Sequence, residues 1–281
     1  MSFSQVMRHD FPEEVPRPGR LAALRERIRH IEQPASHGVL PFGVAAIDRA
    51  LPGGGVALGA VHEILGIDGD EEDGAAACGF IAGLLARLRR GPVLWCVKRP
   101  DLYGPGLLAH GLDPARLVIV TAPRDEDILW AIEEGLRAPG LVAVIGEIGR
   151  LPLVAGRRLQ LAAERCGITA FLLRRWRNSE EAARERERPS AAVTRWRIAA
   201  LPAREVDDLR LRQLIGQPRW RVELLRCRGG VPAQWVVESG DVEVADATGH
   251  VRLSPELADR PAAAVDRKEG RLAAEPRLRF G

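Results

Sequence analysis

The sequence of 281 residues contains no apolar run long enough to cross a membrane, although 46% of its residues are apolar. Its first 20 residues lack the apolar core of a secretory signal, and they are too rich in acids for a transit peptide. These absences exclude a transmembrane helix and predict, by elimination, a cytoplasmic protein with no membrane partner. The length allows one large domain with an ample buried core.

Metal-ligand spacings are also absent from the sequence. The four cysteines are widely separated with no C-x-x-C pair, and the six histidines are not spaced as metal ligands. We therefore expect reduced, mostly buried thiols, and we predict neither a metal ion nor a cofactor. No serine-histidine-aspartate order, paired-carboxylate geometry or G-x-S-x-G motif is recognisable, so a hydrolase has no support.

Lysine is scarce, and arginine supplies nearly all of the positive charge. Lys98 and Lys268 are the two lysines of the chain. Residues 1–149 carry 15 basic and 20 acidic side chains, whereas residues 150–230 carry 19 basic and 9 acidic side chains. This asymmetry predicts a basic face on the second half of the fold, suited to nucleic acid or to an acidic partner.

Short apolar runs alternate with helical patterns from residue 61 onward. The runs predict strands at Val61–Leu65, Val93–Val97, Leu117–Thr121, residues 141–145 and residues 169–173. Helical patterns lie between them at residues 74–90, Asp125–Arg137 and residues 153–165. This order predicts an α/β fold with a mostly parallel sheet flanked by helices.

The second half of the chain changes character. Residues 178–190 are highly charged without apolar periodicity, which predicts a mobile loop. Residues 192–200 and 218–227 alternate like half-buried strands, residues 231–253 are typical of a hairpin, and we expect these strands to extend the sheet in antiparallel fashion. Beyond residue 253 the sequence is mainly alanine, proline and charge, which predicts a disordered tail. The predicted division is an N-terminal segment 1–35, a core 36–253 and a tail 254–281.

The N-terminal segment contains an amphipathic pattern at residues 20–32. One face of the predicted helix carries an apolar stripe, formed by Leu21, Leu24, Ile28 and Ile31. Such a stripe packs on its own domain or docks on a partner or a second copy, and the sequence leaves both interpretations open.

The acidic stretch GDEEDGAA at residues 69–76 has the glycine spacing of the phosphate-binding loop G-x-x-x-x-G-K-[ST]. Gly69 and Gly74 take the glycine positions, but Ala75 and Ala76 replace the lysine and the hydroxyl residue. The stretch follows a predicted strand and precedes a predicted helix, as the motif requires. We interpret it as a degenerate phosphate loop, because the acids between its glycines repel a polyphosphate. It does not fit the EF-hand pattern, and a solvated acidic turn or a partner surface are the alternatives.

Residues 40–66, LPFGVAAIDRALPGGGVALGAVHEILG, resemble the lead-in to the phosphate loop in the RecA/ATPase core family. With the segments SAAVTRWRIAA and GQPRWRVELLRCRGG, the chain is most similar to the ImuA family, RecA-like accessory proteins of bacterial inducible-mutagenesis cassettes. The resemblance implies a RecA-like core and a non-enzymatic adaptor role in SOS-induced translesion synthesis. It implies as partners an ImuB-like polymerase homologue, RecA and, indirectly, an error-prone replicative-type polymerase subunit.

The same resemblance aligns three altered positions with the ATPase machinery. Besides the phosphate loop, Gly146 aligns with the metal-site aspartate, with Glu147 adjacent, and Arg99 falls about where the catalytic glutamate belongs. The resemblance thus implies a fold that has lost ATP hydrolysis. A RecA-type DNA-dependent ATPase and a SulA-like cell-division inhibitor are the alternatives.

The triplet Arg-Trp-Arg occurs at residues 175–177, 195–197 and 219–221. Strand periodicity sends Trp196 and Trp220 to one face and the flanking arginines to the other. The arginines are either solvated or form a row that binds single-stranded DNA weakly and in a salt-sensitive way. The candidate nucleic-acid or partner-binding residues are Arg174, Arg175, Arg177, Arg195, Arg197, Arg219 and Arg221.

Overall fold

The computed structural model describes residues 37–66, 72–88, 91–176, 178–202, 219–239 and 251–253. The predicted helix at residues 20–32 with its apolar stripe and the predicted tail 254–281 lie outside these ranges. Arg177 and residues 67–71 of the acidic stretch also lie outside them.

The chain enters the fold through a small two-stranded sheet. Its elements are β1 (Val39–Leu40), α1 (Ala45–Ala50), a 3-10 turn (Pro52–Gly54) and β2 (Val56–Ala57), with β1 antiparallel to β2. The carboxylate of Asp48 in α1 accepts hydrogen bonds from the backbone N–H groups of Phe42 at 2.7 Å and Gly43 at 3.1 Å. These bonds fix the turn before α1, and the ring of Phe42 then packs 5.4 Å from that of Trp196.

In the described part of the chain the main sheet has nine strands, six of which are consecutive and parallel. In spatial order these six are β8 (Thr194–Leu201), β3 (Val61–Leu65), β7 (Thr169–Arg174), β6 (Ala143–Ile148), β4 (Val93–Val97) and the edge strand β5 (Leu117–Thr121). The strands β3, β4, β6 and β7 are buried along their whole lengths, which explains their continuous apolar sequences. The predicted mostly parallel α/β sheet is confirmed, and the architecture is consistent with a RecA-like core.

Three antiparallel strands continue the sheet beyond β8. They are β9 (Arg219–Cys227), β10 (Ala233–Ser239) and β11 (Val251–Leu253). The expectation of antiparallel strands is therefore confirmed for these three and wrong for β8, which pairs in parallel with β3. The reason is the helix between β7 and β8. A helical crossover carries the chain back to the end of the sheet where the parallel strands start, so the next strand runs parallel to them.

Helices pack on both faces of the sheet. They are α2 (Glu72–Arg87), α3 (Gly104–Ala109), α4 (Asp125–Arg137), α5 (Leu153–Cys166) and α6 (Ser179–Arg186). On one face the side chains of Ile64, Trp95 and Phe171 form a core with α2. On the other face Val144 and Leu172 form a core with α4 and α5. Truncating one of these buried side chains to alanine is expected to cost about 2–5 kcal/mol.

Helix α6 contradicts the mobile loop predicted for residues 178–190. The side chain of Asn178 caps the helix by accepting a hydrogen bond from the N–H of Glu181 at 2.8 Å. Ala182 is buried against Leu65 and Trp176. Because this helix contributes so little apolar surface to the core, it has no apolar period that a sequence pattern could detect.

Two further expectations concern the cysteines and the membrane. All four cysteines are free; Cys96 and Cys227 are buried, Cys78 is partly buried and Cys166 is exposed. Within the described ranges, no helix combines the length and the apolar character that crossing a bilayer requires.

Candidate functional site at the carboxyl ends of the strands

The carboxyl ends of β3, β4, β6 and β7 meet at one edge of the sheet, where open α/β folds usually bind ligands. Helix α2 begins at this edge, at Glu72, two residues before the start at Gly74 that the sequence predicts. Ala75 is exposed and Ala76 is buried in the apolar core. The positions of the phosphate-loop lysine and hydroxyl therefore present only methyl groups at the start of α2.

Glu147, not Gly146, carries the carboxylate on the face of the sheet that α2 covers. A Cβ built on Gly146 would lie 2.1 Å from Cδ1 of Ile132, so this position faces α4 and has no room for an aspartate. Strand β6 is two residues displaced from its predicted start and extends to Ile148, and period two then directs Glu147 to the opposite face. In the sequence, Glu147 is only the neighbour of Gly146, which aligns with the metal-site aspartate.

Both oxygens of the buried Glu147 carboxylate are engaged. The indole Nε1 of Trp95 donates to Oε1 at 3.2 Å, and Nη1 of Arg175 donates to Oε2 at 2.8 Å. The same guanidinium forks onto Asp101, with Nη1 3.2 Å from Oδ1 and Nη2 3.0 Å from Oδ2. Arg175 thus ties the end of β7 to the end of β6 and to the loop after β4.

Burial and charge act oppositely on these two carboxyls. Burial raises the pKa of Glu147 above its usual value, although the charge and hydrogen bond of Arg175 act against it. Burial alone would also raise the pKa of Asp101, but Arg175 outweighs it and holds that pKa below its usual value. Burial and the charge of Glu147 raise the pKa of the Cys96 thiol to about 12, so this cysteine is not a nucleophile.

A second ionic cluster lies on the other face of the sheet around Glu63, which is fully buried in β3. Its Oε2 accepts from Nη1 of Arg174 at 3.2 Å and from Nε and Nη2 of Arg195 at 3.1 and 3.0 Å. The Ser190 hydroxyl donates to the other oxygen, Oε1. One carboxylate therefore holds two guanidinium groups from the strands on either side of it.

Arg174 extends this cluster to α6 and to the turn after β6. Its Nη2 donates to the carbonyl oxygen of Gly149 at 2.7 Å and to Glu185 Oε2 at 3.0 Å. The Trp176 indole donates to the same Gly149 carbonyl at 2.9 Å, and the Arg174 guanidinium lies 5.6 Å from the Trp176 ring centroid. Such a buried network fixes geometry, and removing one member leaves uncompensated charge behind.

A third ionic contact lies at the edge where the carboxyl ends of the parallel strands meet. Lys98 Nζ lies 2.6 Å from Oδ1 of Asp125, whose carboxylate also accepts from the N–H groups of Gly149 and Arg150 at 3.0 Å each. Burial would raise the pKa of Asp125, but Lys98 and the two N–H groups outweigh it and lower that pKa. In the described part of the chain, no three side chains of the metal-binding types form a site for an ion.

The candidate arginines do not form one continuous row. Arg174 is buried, Arg175 and Arg195 are held in the clusters above, and Arg197 pairs with Glu223 on β9. Arg219 is partly buried, whereas Arg221 is exposed and forms no ion pair with the described residues. Arg177 and the stripe Leu21, Leu24, Ile28 and Ile31 lie outside the described ranges. Of the candidates that the structure describes, Arg221 is therefore the most accessible cation.

The signal for the Glu63 cluster was present in the sequence as a glutamate inside the apolar run VHEIL. A carboxylate buried in a strand requires a charged or hydrogen-bonding partner, so this residue predicts a cluster. The sequence around Glu63 does not identify these partners, because Arg174 follows Glu63 by 111 residues and Arg195 follows it by 132 residues.

No protein-family model matches the chain. Two curated proteins named "Protein ImuA", from two strains of Caulobacter vibrioides, are each 40% identical to it over 238 residues. The alignment spans 81% of this chain and 93% of each relative.

Proposed function

The chain belongs to the ImuA family, and from this premise we propose that it is a non-enzymatic, RecA-like adaptor in SOS-induced translesion DNA synthesis. In this role it links an ImuB-like polymerase homologue with RecA or DNA in the cytoplasm. An error-prone replicative-type polymerase subunit joins the complex through the ImuB-like partner.

The observation that carries the non-enzymatic part is the pair of alanines at the start of α2. ATP hydrolysis in RecA-like folds uses a lysine on the phosphates and a hydroxyl on the magnesium ion, and Ala75 and Ala76 supply neither. The preceding residues 69–74 include four acidic side chains. One contact of a carboxylate with a phosphate charge near 4 Å costs about 4 kcal/mol at an effective dielectric of ~20. Nucleotide binding at this loop is therefore unfavourable.

Glu147 is the feature that favours the ATPase alternative. It supplies a carboxylate on the face covered by α2, as a metal-site acid would. Both of its oxygens are bonded to Trp95 and Arg175, however, so a magnesium ion would have to displace the guanidinium. In our proposal Glu147 is a structural acid.

Thermal unfolding with and without nucleotide tests the non-enzymatic role. A ligand present at 100 times its Kd stabilises the native state by about 2.7 kcal/mol, which raises Tm by several degrees in a chain of this size. We expect millimolar MgATP to leave the Tm unchanged, while a RecA protein in the same buffer is stabilised. A reproducible rise in Tm contradicts the proposal.

The variants Glu147→Gln and Glu134→Gln separate the two roles of the acid, because Glu134 is an exposed glutamate on α4. We expect neither the wild type nor either variant to release phosphate from ATP above background. Glu147→Gln should lower the free energy of unfolding by about 1–3 kcal/mol, since it removes the charge opposite Arg175. Turnover in the wild type that is lost in Glu147→Gln and kept in Glu134→Gln supports the ATPase instead.

The adaptor role has a direct test in the parent cell and in solution. Deleting the gene should lower ultraviolet-induced mutation, and the Glu147→Gln protein should restore it wherever it accumulates to the wild-type level. Purified protein should bind the purified ImuB-like protein in isothermal titration calorimetry. Absence of this binding, or an unchanged mutation frequency in the deletion strain, contradicts the adaptor role.

The DNA contact in this proposal rests on Arg221, because the other described candidates are partly buried or occupied by carboxylates. We expect weak binding of a labelled single-stranded oligonucleotide in fluorescence anisotropy, with affinity that falls as salt rises. Arg221→Glu should weaken it further than the exposed control Arg49→Glu in α1. Equal effects from both variants indicate a diffuse charge effect and remove Arg221 from the contact.

A further inference from the structure

Helix α5 exposes two large aliphatic side chains on its outward face. Val154 is 77% exposed and Leu161 is 66% exposed. The inward face of the same helix already contributes Leu159, Ala162 and Ala163 to the core. Single exposed aliphatics are ordinary, but these two lie two turns apart on one side of one helix.

Three arginines flank the two aliphatic side chains. At 3.6 residues per turn, the positions i, i+3, i+4, i+7 and i+11 share one face, and from the first to the last they span about 17 Å. We define the α5 stripe by these five residues: Val154, Arg157, Arg158, Leu161 and Arg165.

Part of the positive charge on the α5 stripe is uncompensated. Arg158 pairs with Glu133 of α4 at 2.5 Å. Arg157 and Arg165 are exposed and form no ion pair with the residues that the structure describes. The stripe also borders a groove of about 490 Å³ between α4 and α5, lined by Arg137, Arg158, Leu161, Ala162, Glu164 and Arg165. The surface thus offers apolar contacts, available cations and a concave border together.

We infer that the α5 stripe docks an acidic amphipathic segment of a partner protein. Such a segment places apolar side chains on Val154 and Leu161 and carboxylates beside Arg157 and Arg165. Charge complementarity selects this occupant, and the exposed aliphatic pair requires that it also carry an apolar face. This inference is independent of the proposed function, because it uses only the surface of α5.

Two other occupants fit the stripe less well. Single-stranded nucleic acid is bound by stacking its bases on aromatic rings, and the stripe has none. The chain's own segment 20–32 carries four arginines and two glutamates, so it brings like charge to the stripe. The described chain begins at His37, whose ring Nε2 lies 2.7 Å from the carbonyl oxygen of Glu164 on α5, so the stability measurement below includes this segment as an alternative occupant.

The binding test uses a designed helical peptide of 18 residues with leucines spaced i and i+7 and glutamates around them. The full-length protein should bind the labelled peptide in fluorescence anisotropy at 50 mM salt and lose affinity as salt rises. Two control peptides, one with lysine for glutamate and one with serine for leucine, should bind at least about tenfold more weakly. Failure of the acidic peptide to bind, or equal binding of all three peptides, overturns the inference.

Matched protein variants locate the binding on the stripe. Arg157→Glu with Arg165→Glu should reduce affinity for the acidic peptide at least about tenfold and increase affinity for the lysine peptide. The control pair Arg124→Glu with Arg184→Glu makes the same change in net charge at two exposed positions elsewhere, the N-cap of α4 and the last turn of α6. Equal losses in both pairs overturn the inference, as does an oligonucleotide that binds at the stripe in place of the peptide.

A stability measurement excludes coverage of the stripe by the chain itself. Val154→Ser with Leu161→Ser should leave the Tm within about 2 °C of the wild type, because exposed side chains contribute little to stability. The same variant should bind the acidic peptide at least about tenfold more weakly. A fall in Tm of many degrees means that this chain covers its own stripe, which also overturns the inference.

Discussion

The imidazole of His62 lies at the centre of the sheet with both ring nitrogens bonded. Nε2 is 2.8 Å from the carbonyl oxygen of Ala57, which only accepts, so Nε2 carries the hydrogen. Nδ1 therefore accepts from the Thr194 hydroxyl at 2.6 Å, and that hydroxyl oxygen accepts from the Trp196 indole at 2.7 Å. A second proton on Nδ1 would break the bond that this nitrogen accepts from Thr194 and would place a positive charge on a fully buried ring. Burial accordingly lowers the pKa of His62 to about 4, with the bond to Ala57 acting weakly in the other direction.

This histidine predicts a loss of stability in mild acid. The folded protein holds the ring neutral while the unfolded chain takes up a proton, so stability is complete above pH 6.5 and falls as the pH drops toward 4. Between pH 7 and pH 5 the free energy of unfolding should fall by about 2 kcal/mol. Urea unfolding at pH 7 and at pH 5 measures this change in the free energy of unfolding, in the wild type and in the variant His62→Gln. The variant should lose most of this pH dependence. If the free energy of unfolding falls equally with pH in both proteins, other groups cause the dependence.

Glu63 predicts a large loss of stability when its charge is removed. Replacing it with glutamine removes the negative charge between Arg174 and Arg195, and breaking a buried pair in this way costs about 3–5 kcal/mol. Glu180→Gln is the control, because its side chain is 81% exposed in a surface ion pair that contributes under about 1 kcal/mol. Chemical denaturation of both variants provides the comparison. A Glu63→Gln protein as stable as the control contradicts the structural role of the cluster.

Sequence patterns predict which face of a strand a side chain occupies better than they predict which distant side chain it contacts. Period two correctly sends Trp196 and Trp220 into the core. It does not indicate what covers the opposite side, so Arg174 and Arg195 are expected at the surface and are found against Glu63. Their burial depends on a carboxylate more than 100 residues earlier, which no local window includes.

At the scale of elements, the strands and helices with apolar faces match the sequence closely. The strands β3, β4 and β5 and helix α4 have the predicted bounds. Strand β6 begins later and runs further than predicted, because the apolar run includes part of the preceding turn and stops short of Glu147. Helix α6 escapes prediction because a cap, one buried methyl group and the Glu185 contact with Arg174 hold it in place.

Two substitutions test α6 as an ordered element. Asn178→Ala removes the cap and should cost about 1 kcal/mol. Ala182→Asp puts an unpaired charge beside Leu65 and Trp176 and should cost several kcal/mol. Hydrogen exchange of the amides in residues 182–186 should be slow in the wild type and faster in both variants. Fast exchange in the wild type, with no change in stability in either variant, restores the mobile-loop interpretation.

At the scale of the whole molecule, alternation of strands and helices predicts a parallel sheet but not its order. The observed order β5-β4-β6-β7-β3-β8 depends on which way each crossover turns and on where Glu63 finds its two arginines. The alternating sequences of the second half predict strands but not their direction, because β8 alternates like β9 and is nevertheless parallel to β3. The candidate site is less predictable than the fold, because its ionic clusters join side chains from distant strands.

The division of the chain also predicts what the tail contributes. Composition predicts that residues 254–281 bury little surface in the core, so their deletion should leave the Tm nearly unchanged. Affinity for the ImuB-like protein should fall at least about tenfold, or about 1.4 kcal/mol. Serine substitutions at the five apolar tail positions Leu257, Val265, Leu272, Leu278 and Phe280 should have the same effect. Unchanged affinity removes the tail from the interface, and loss of folding shifts the domain boundary.

The central place of β3 affects how the protein folds during synthesis. Its two neighbours in the sheet begin at Thr169 and Thr194, more than 100 residues after β3 ends at Leu65. At about 5–20 residues per second, a ribosome needs roughly 5–20 s to supply the first of these neighbours. During that time the apolar strand VHEIL and its buried glutamate have no sheet partner. The nascent chain is therefore expected to need protection from aggregation until the middle of the sheet closes.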